Sequence, residues 1–258
     1  MLAEWVVEDI KNGESNLTGS EEHQLTLIED GELGRSLRSV VWKGIYNDKE
    51  DVAVKVFMDR GAMEKEMTIY NALDAKKNEN IEDHRIPRIY YNGKFLGLTH
   101  AIAMSRFEGT LFNYCTKRNN ESLSDADILD ILMQTVKGLE YLSTKNVVHN
   151  DINPNNLFYR GRDFFIGDFD LATLNGKQIK SHTELFASAS FFAGKPRFAK
   201  DDLESLVYSL WFLAGVPMDK TNKPPPNAYR PEGQTFFENR KRGNKFAREQ
   251  LMIACKYK

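Results

Sequence analysis

The sequence predicts an α+β chain built in two parts, a small antiparallel sheet lobe followed by a mainly helical lobe. Three observations predict it. Short runs of alternating apolar and polar residues recur from Gln24 to Met104 with turn residues between them, a long helical stripe begins at Ser124, and two Asx-rich loops follow that stripe at His149–Leu157 and Ile166–Asp170. Period two gives way to period 3.6 after Met104, so the change of lobe is placed there.

Composition sets the outer bounds. A chain of 258 residues can bury a large core, as one domain or as two lobes. A formal net charge of -2 argues against a whole-surface nucleic-acid binder, and no nucleic-acid partner is expected. Cys115 and Cys255 are too few for a disulfide framework or a four-ligand zinc site, which suits a reducing compartment. Glu4, Glu8 and Asp9 interrupt the start of the chain, and Ser209 interrupts the longest apolar run, 206–217. Neither a signal peptide nor a membrane span is read there, and the expectation is a cytoplasmic or nuclear protein.

Residues 1–22 read as an N-terminal extension. Leu2, Trp5, Val6 and Ile10 share one face of a short amphipathic helix, and the polar stretch 12–22 with Gly13 and Gly19 reads as a loop. Residues 23–104 form the sheet lobe, with strands expected at 24–28, 40–42, 52–57, 86–93 and 101–104. In the third of these, alternation puts Ala53 and Lys55 on one face and Val52 and Val54 on the other. A helix over 62–73 is expected from the spacing of Met63, Met67 and Tyr70.

Residues 105–258 form the second lobe with its basic tail. Ser124 is an N-cap, Asp125 and Asp127 suit the positive helix start, and Ile128, Leu132, Thr135, Leu139 and Leu142 make the apolar stripe of a helix running to about Lys145. The chain then enters Val147-Val148-His149. Beyond Val216, 223–226 is a rigid Lys-Pro-Pro-Pro spacer, and Arg240 to Arg248 is a basic run that reads as a solvated helix face or as a nuclear address or acidic-partner patch.

The two loops carry the chemistry. Phosphoryl transfer from a metal-bound nucleotide needs little covalent help from a protein, but it needs charge and geometry fixed at a few points. One carboxylate must meet the acceptor hydroxyl, and oxygen ligands must hold Mg²⁺. Asp151 suits the first task, and Asn156 with Asp168 the second. A pair of Asx-rich turns between strands is the alternative reading of the same residues.

The series His149-x-Asp151-x-x-x-x-Asn156 followed by Asp168-Phe169-Asp170 resembles the catalytic and magnesium loops of the eukaryotic protein kinase superfamily. Val52-Ala53-Val54-Lys55 resembles the V-A-x-K strand of that family, and Gly34, Ser36, Ser39 and Val41 occupy the G-x-G-x-x-G-x-V positions of its nucleotide-covering loop. Lys200 to Tyr208, which contains Asp201-Asp202-Leu203-Glu204-Ser205-Leu206, resembles the casein kinase 1 branch, which includes vaccinia-related and tau-tubulin kinases. The resemblance covers residues 25 to 215 and implies a bilobal protein-kinase-like fold that uses ATP and Mg²⁺ to phosphorylate Ser/Thr hydroxyls of a protein substrate.

Carried over residue by residue, the resemblance makes Lys55 the ligand of the α- and β-phosphates and Glu66, in an E-x-x-I-Y pattern, its partner, with Glu64 the rival. Ser105 to Gly109 becomes the hinge and Met104 the gatekeeper. Gly34, Ser36, Ser39, Val41, Ala53, Phe107 and Leu157 join the nucleotide contacts, and Asp202 anchors a helix beneath the catalytic loop. Four departures stand out: Asn150 replaces Arg, Asn153 replaces the Lys that reaches the γ-phosphate, Asp170 replaces Gly, and two loop glycines are serine. Asn153, Asp170, the serine-substituted loop and the short second lobe support a second reading, a pseudokinase that acts as a binding module.

Overall fold

Alternation in the first part of the chain becomes a sheet whose two faces differ sharply. In this computed structural model, residues 16–18, 24–36, 39–95, 99–117, 123–175, 177 and 183–213 are described. The chain divides into two units, Met1–Phe107 and Glu108–Lys258, each taken on its own below. The expected helix at 2–10, the 223–226 spacer, the basic run and Cys255 lie outside the described residues.

The first unit holds β1 (Asn16–Thr18), β2 (Gln24–Arg35), β3 (Ser39–Tyr46), β4 (Glu50–Phe57), α1 (Arg60–Ala72), β5 (Ile89–Phe95) and β6 (Thr99–Ser105). The strands make one antiparallel sheet in the order β1-β2-β3-β4-β6-β5. Trp42, Val52, Val54, Val56, Ala101 and Ala103 point to one face and share a buried apolar cluster. Lys55 and Ala53 therefore face the other way, as alternation requires.

Three elements differ from their sequence expectation. β2 continues to Arg35 instead of stopping near Ile28, passing through two register shifts against β3. Trp42 Nε1 donates to Ile28 O at 2.6 Å inside this irregular stretch, and Gly31 is required there, since a Cβ would come within 2.6 Å of the same carbonyl. The stretch 12–22, read as a loop, contributes β1, which pairs antiparallel with β2, Asn16 opposite Thr26 and Thr18 opposite Gln24. Helix α1 begins at Arg60 because Asp59 caps it, accepting from Gly61 N at 3.0 Å and Ala62 N at 3.1 Å.

The second unit holds β7 (Gly109–Thr110), α2 (Leu111–Thr116), α3 (Asp125–Thr144), β8 (Val147–Val148), β9 (Leu157–Arg160), β10 (Asp163–Ile166), β11 (Thr173–Leu174), α4 (Ala189–Phe192) and α5 (Ala199–Leu213). Ser124 and Asp127 form a reciprocal capping box at the start of α3. Ile128, Leu132, Thr135, Leu139 and Leu142 are all buried, and α3 packs on α5, β8 and β10. β9 and β10 are a hairpin, and β8 pairs with β11. Among the described residues no helix is long and apolar enough to cross a membrane.

Candidate active site

In the first unit the sheet and α1 bring a cation and a carboxylate together. Val41 pairs with Lys55 across β3 and β4, and Ala53 with Met104 across β4 and β6, so these four residues share the face opposite the apolar cluster. Helix α1 packs against β4 and β6. Lys55 Nζ lies 2.8 Å from Glu66 Oε2, with side chains 9% and 1% exposed. Glu64, two residues earlier and round the helix, pairs instead with Arg60 at 2.7 Å on the exposed side. The choice between Glu66 and Glu64 is thereby decided in favour of Glu66. Tyr70, one turn on, reaches Met104 Sδ at 3.7 Å.

Between β2 and β3, Ser36 and Ser39 bind one another. Ser36 N donates to Ser39 O at 2.8 Å, Ser39 N donates to Ser36 Oγ at 3.1 Å, and the two hydroxyls lie 3.1 Å apart. Gly34 precedes it within β2, with open space where a Cβ would stand. The serines at the two former glycine positions therefore bind one another. Phe107, at the end of this unit, is half-buried.

In the second unit the loop after β8 is fixed from beneath. Asp202, near the start of α5, is buried; its Oδ2 accepts from His149 N at 2.7 Å and its Oδ1 from Asn150 N at 2.8 Å. Burial pushes this carboxyl above the usual range, opposed by His149, the two amides and Arg197. Ser209 Oγ, further along α5, donates to Ser205 O at 2.9 Å and lies 3.4 Å from Ile152 O. His149 accepts from Asp151 N on Nδ1 at 3.2 Å, so Nε2 carries the hydrogen and donates to Gly167 O at 2.9 Å. Its ring lies 5.0 Å from that of buried Phe169.

Asp151 and Asn156 meet on this platform. Asn156 Nδ2 donates to Asp151 Oδ2 at 2.8 Å and to Asp151 O at 2.9 Å. The second acceptor is a carbonyl, which fixes the orientation of the amide and makes Oδ1 the atom able to ligate a cation. Gly167 N donates to Asn156 O at 3.0 Å, tying the residue before Asp168 to the same loop. Asp168 is left-handed, with φ 60 and ψ 73, an unusual state for a non-glycine residue. Leu157 is buried and pairs with Ile166 in the β9–β10 hairpin.

The Asn156 amide oxygen and the Asp168 carboxylate are hard oxygen donors of the kind that suits Mg²⁺. Among the described residues no three His, Cys, Asp or Glu side chains gather as a metal cluster.

Thr183 is a residue that sequence reasoning missed. Its N–H donates to Asp151 Oδ1 at 3.0 Å, and its hydroxyl accepts from Asn153 Nδ2 at 3.4 Å. A main-chain donor leaves no signal in the sequence. Asn153 also donates to Asp151 O at 3.0 Å and accepts from Asn155 N at 2.9 Å, so its side chain shapes the loop.

A family model described as protein kinase domain matches residues 27–208. The interferon-induced, double-stranded RNA-activated protein kinase of Mus musculus is 35% identical over 94 residues, 36% of this chain and 18% of that protein. The probable serine/threonine-protein kinase irlE of Dictyostelium discoideum is 30% identical over 155 residues, 57% of this chain and 11% of that protein. The chain thus spans less than a fifth of the length of either relative. Among solved structures, vaccinia related kinase 3 superposes with a TM-score of 0.70 at 14% identity, over 98% of this chain and 88% of that one, a likeness of fold alone.

Proposed function

This chain belongs to the protein kinase domain family, and from that premise we propose that it is an ATP- and Mg²⁺-dependent kinase that phosphorylates Ser/Thr hydroxyls of proteins. The observation that carries the reading is the 2.8 Å hydrogen bond between Asp151 and Asn156 on the Asp202 platform. Asp151 orients the acceptor hydroxyl and takes its proton as the oxygen bonds to the γ-phosphorus and the bond to the β-phosphate oxygen breaks. Lys55, held by Glu66, neutralises the α- and β-phosphates. Asn156 Oδ1 and the Asp168 carboxylate hold the magnesium ion, which supplies charge neutralisation to the transferring group.

Gly34, Ser36, Ser39, Val41, Ala53, Met104, Phe107 and Leu157 are proposed as further nucleotide contacts. The Asp201-Asp202-Leu203-Glu204-Ser205-Leu206 run supports placing the chain beside the casein kinase 1 branch. On the same proposal the protein works in the cytoplasm or nucleus, compartments that suit its two cysteines.

A second reading, a pseudokinase acting as a binding module, is favoured by Asn153. Its amide is occupied within the loop and brings no cation to the γ-phosphate. Loss of one such stabiliser costs about 10²–10³ in rate. A thermal-shift titration with ATP, with and without Mg²⁺, together with phosphotransfer to casein by wild type and Asp151→Asn, separates the readings. The enzyme reading expects metal-dependent stabilisation and transfer that disappears in the variant. No stabilisation and no transfer leave the binding module, and transfer that survives Asp151→Asn removes Asp151 from its role.

A further inference from the structure

Asn150 is fully buried and left-handed, with φ 69, and it joins two segments of the second unit. Its Nδ2 lies 3.1 Å from Val148 O, 3.0 Å from Leu171 O and 2.9 Å from Thr173 Oγ1. Two of these acceptors are main-chain carbonyls, so the nitrogen end of the amide must face them. Oδ1, at the other end, is buried without a hydrogen-bond partner. A buried acceptor without a hydrogen-bond partner destabilises the fold. The side chain is therefore oriented by one set of contacts, those of its nitrogen.

Asp168 is held on both sides, and the Asn150 contacts to Leu171 and Thr173 lie on the downstream one. Upstream, Gly167 is held by its N–H on Asn156 O at 3.0 Å and by its carbonyl on His149 Nε2 at 2.9 Å. Downstream, the 3-10 turn Phe169–Leu171 ends on a carbonyl that accepts from Asn150, and Thr173 pairs with Val148 between β11 and β8. A left-handed non-glycine residue persists only where its surroundings fix it on both sides. Asn150 supplies the downstream side.

We propose that Asn150 is a positioning residue, whose buried neutral carboxamide clamps the turn after Asp168 to the loop carrying Asp151 and Asn156 and so sets the geometry of the magnesium site. The proposal rests on the kinase reading only in taking Asp168 as a metal ligand.

The test uses the full chain as wild type, Asn150→Ala, Thr173→Val and Thr173→Ser, with two readouts. Hydrogen exchange is expected to quicken about tenfold at the amides of 168–174 in Asn150→Ala and less in Thr173→Val, with α3 unchanged. The Mg²⁺ concentration giving half of the ATP-dependent thermal shift is expected to rise about tenfold in Asn150→Ala, as outer-shell losses do, while the shift with ATP and chelator stays unchanged. Thr173→Ser, which keeps the hydroxyl, should match wild type in both readouts.

Uniformly faster exchange across the unit, or no change at 168–174, would overturn the clamp, as would an unmoved Mg²⁺ midpoint in a variant whose exchange is altered. If Asn150→Ala does not fold, Thr173→Val decides alone. A wild type without metal-dependent ATP binding defeats the metal reading of Asp168, while the exchange pattern still decides whether Asn150 holds the turn.

Discussion

Lys55 and Glu66 form an ion pair at 2.8 Å with both side chains almost wholly shielded from water. Two charges in such a place stabilise little as a pair, but removing one partner is strongly destabilising, because the buried charge left behind loses the attraction that offsets its desolvation. Lys55→Met alone is expected to lower the unfolding free energy by about 3–5 kcal/mol. The double variant Lys55→Met, Glu66→Leu is expected to recover most of that. Denaturant titrations of the four-member cycle measure it, and a double variant no more stable than the single would show that the pair is not the coupled unit described.

Asn156→Asp tests the loop of the second unit. It replaces an N–H that now sits 2.8 Å from Asp151 Oδ2 with a second carboxylate. Like charges at this separation repel, and the hydrogen bond that holds the Asp151 carboxylate is lost. The rate constant at neutral pH should fall about 10²–10³-fold with the loss of a preorganised group. A rate constant that stays the same would show that the Asn156 amide is not needed to hold Asp151.

Much of this was legible in the sequence where a residue's role follows from its own element. The stripe of α3 and its Ser124 cap need only period 3.6 and an oxygen at the helix start, and all five stripe positions are buried. Ala53 and Lys55 oppose Val52 and Val54 by alternation alone. Glu66 could not be separated from Glu64, because both lie on one helix and the choice depends on which face meets the sheet. The length of β2 was hidden by Glu29-Asp30-Gly31-Glu32, which has turn chemistry but is carried through the bulge by Trp42 on the neighbouring strand. Thr183 acts through a backbone N–H, and Asn150 through acceptors 21 and 23 residues away in the chain. Contacts of that kind have no local pattern to read.

Asp202 gives a pH dependence whose sign can be worked out. Its folded pKa lies above the ordinary 3.8 because burial disfavours the carboxylate. The native state then holds the proton more tightly than the unfolded chain, and stability falls as pH rises through the folded value. Its stabilising share is fully present below about pH 4. Wild type compared with Asp202→Asn should therefore show its largest stability advantage in acid and a shrinking one toward neutrality. Urea midpoints of both proteins between acid and neutral pH measure this, and an advantage that grows with pH would reverse the assignment and make the His149 and Asn150 amides dominant over burial.

The serine pair between β2 and β3 yields the last expectation. Ser39 N–H is engaged by Ser36 Oγ at 3.1 Å, and each hydroxyl lies 3.1 Å from the other. An amide bound in this way is not free to approach a phosphate, whereas glycine at both positions would release it and admit backbone conformations that serine resists. Ser36→Gly, Ser39→Gly is expected to bind ATP with Mg²⁺ about tenfold more tightly, the equivalent of one added hydrogen bond. It should also lose about 0.5–1 kcal/mol of stability for the glycine placed in β3. Calorimetric titration and thermal unfolding measure the two effects. Affinity that stays the same or weakens would show that the paired hydroxyls are not what limits the grip of this loop.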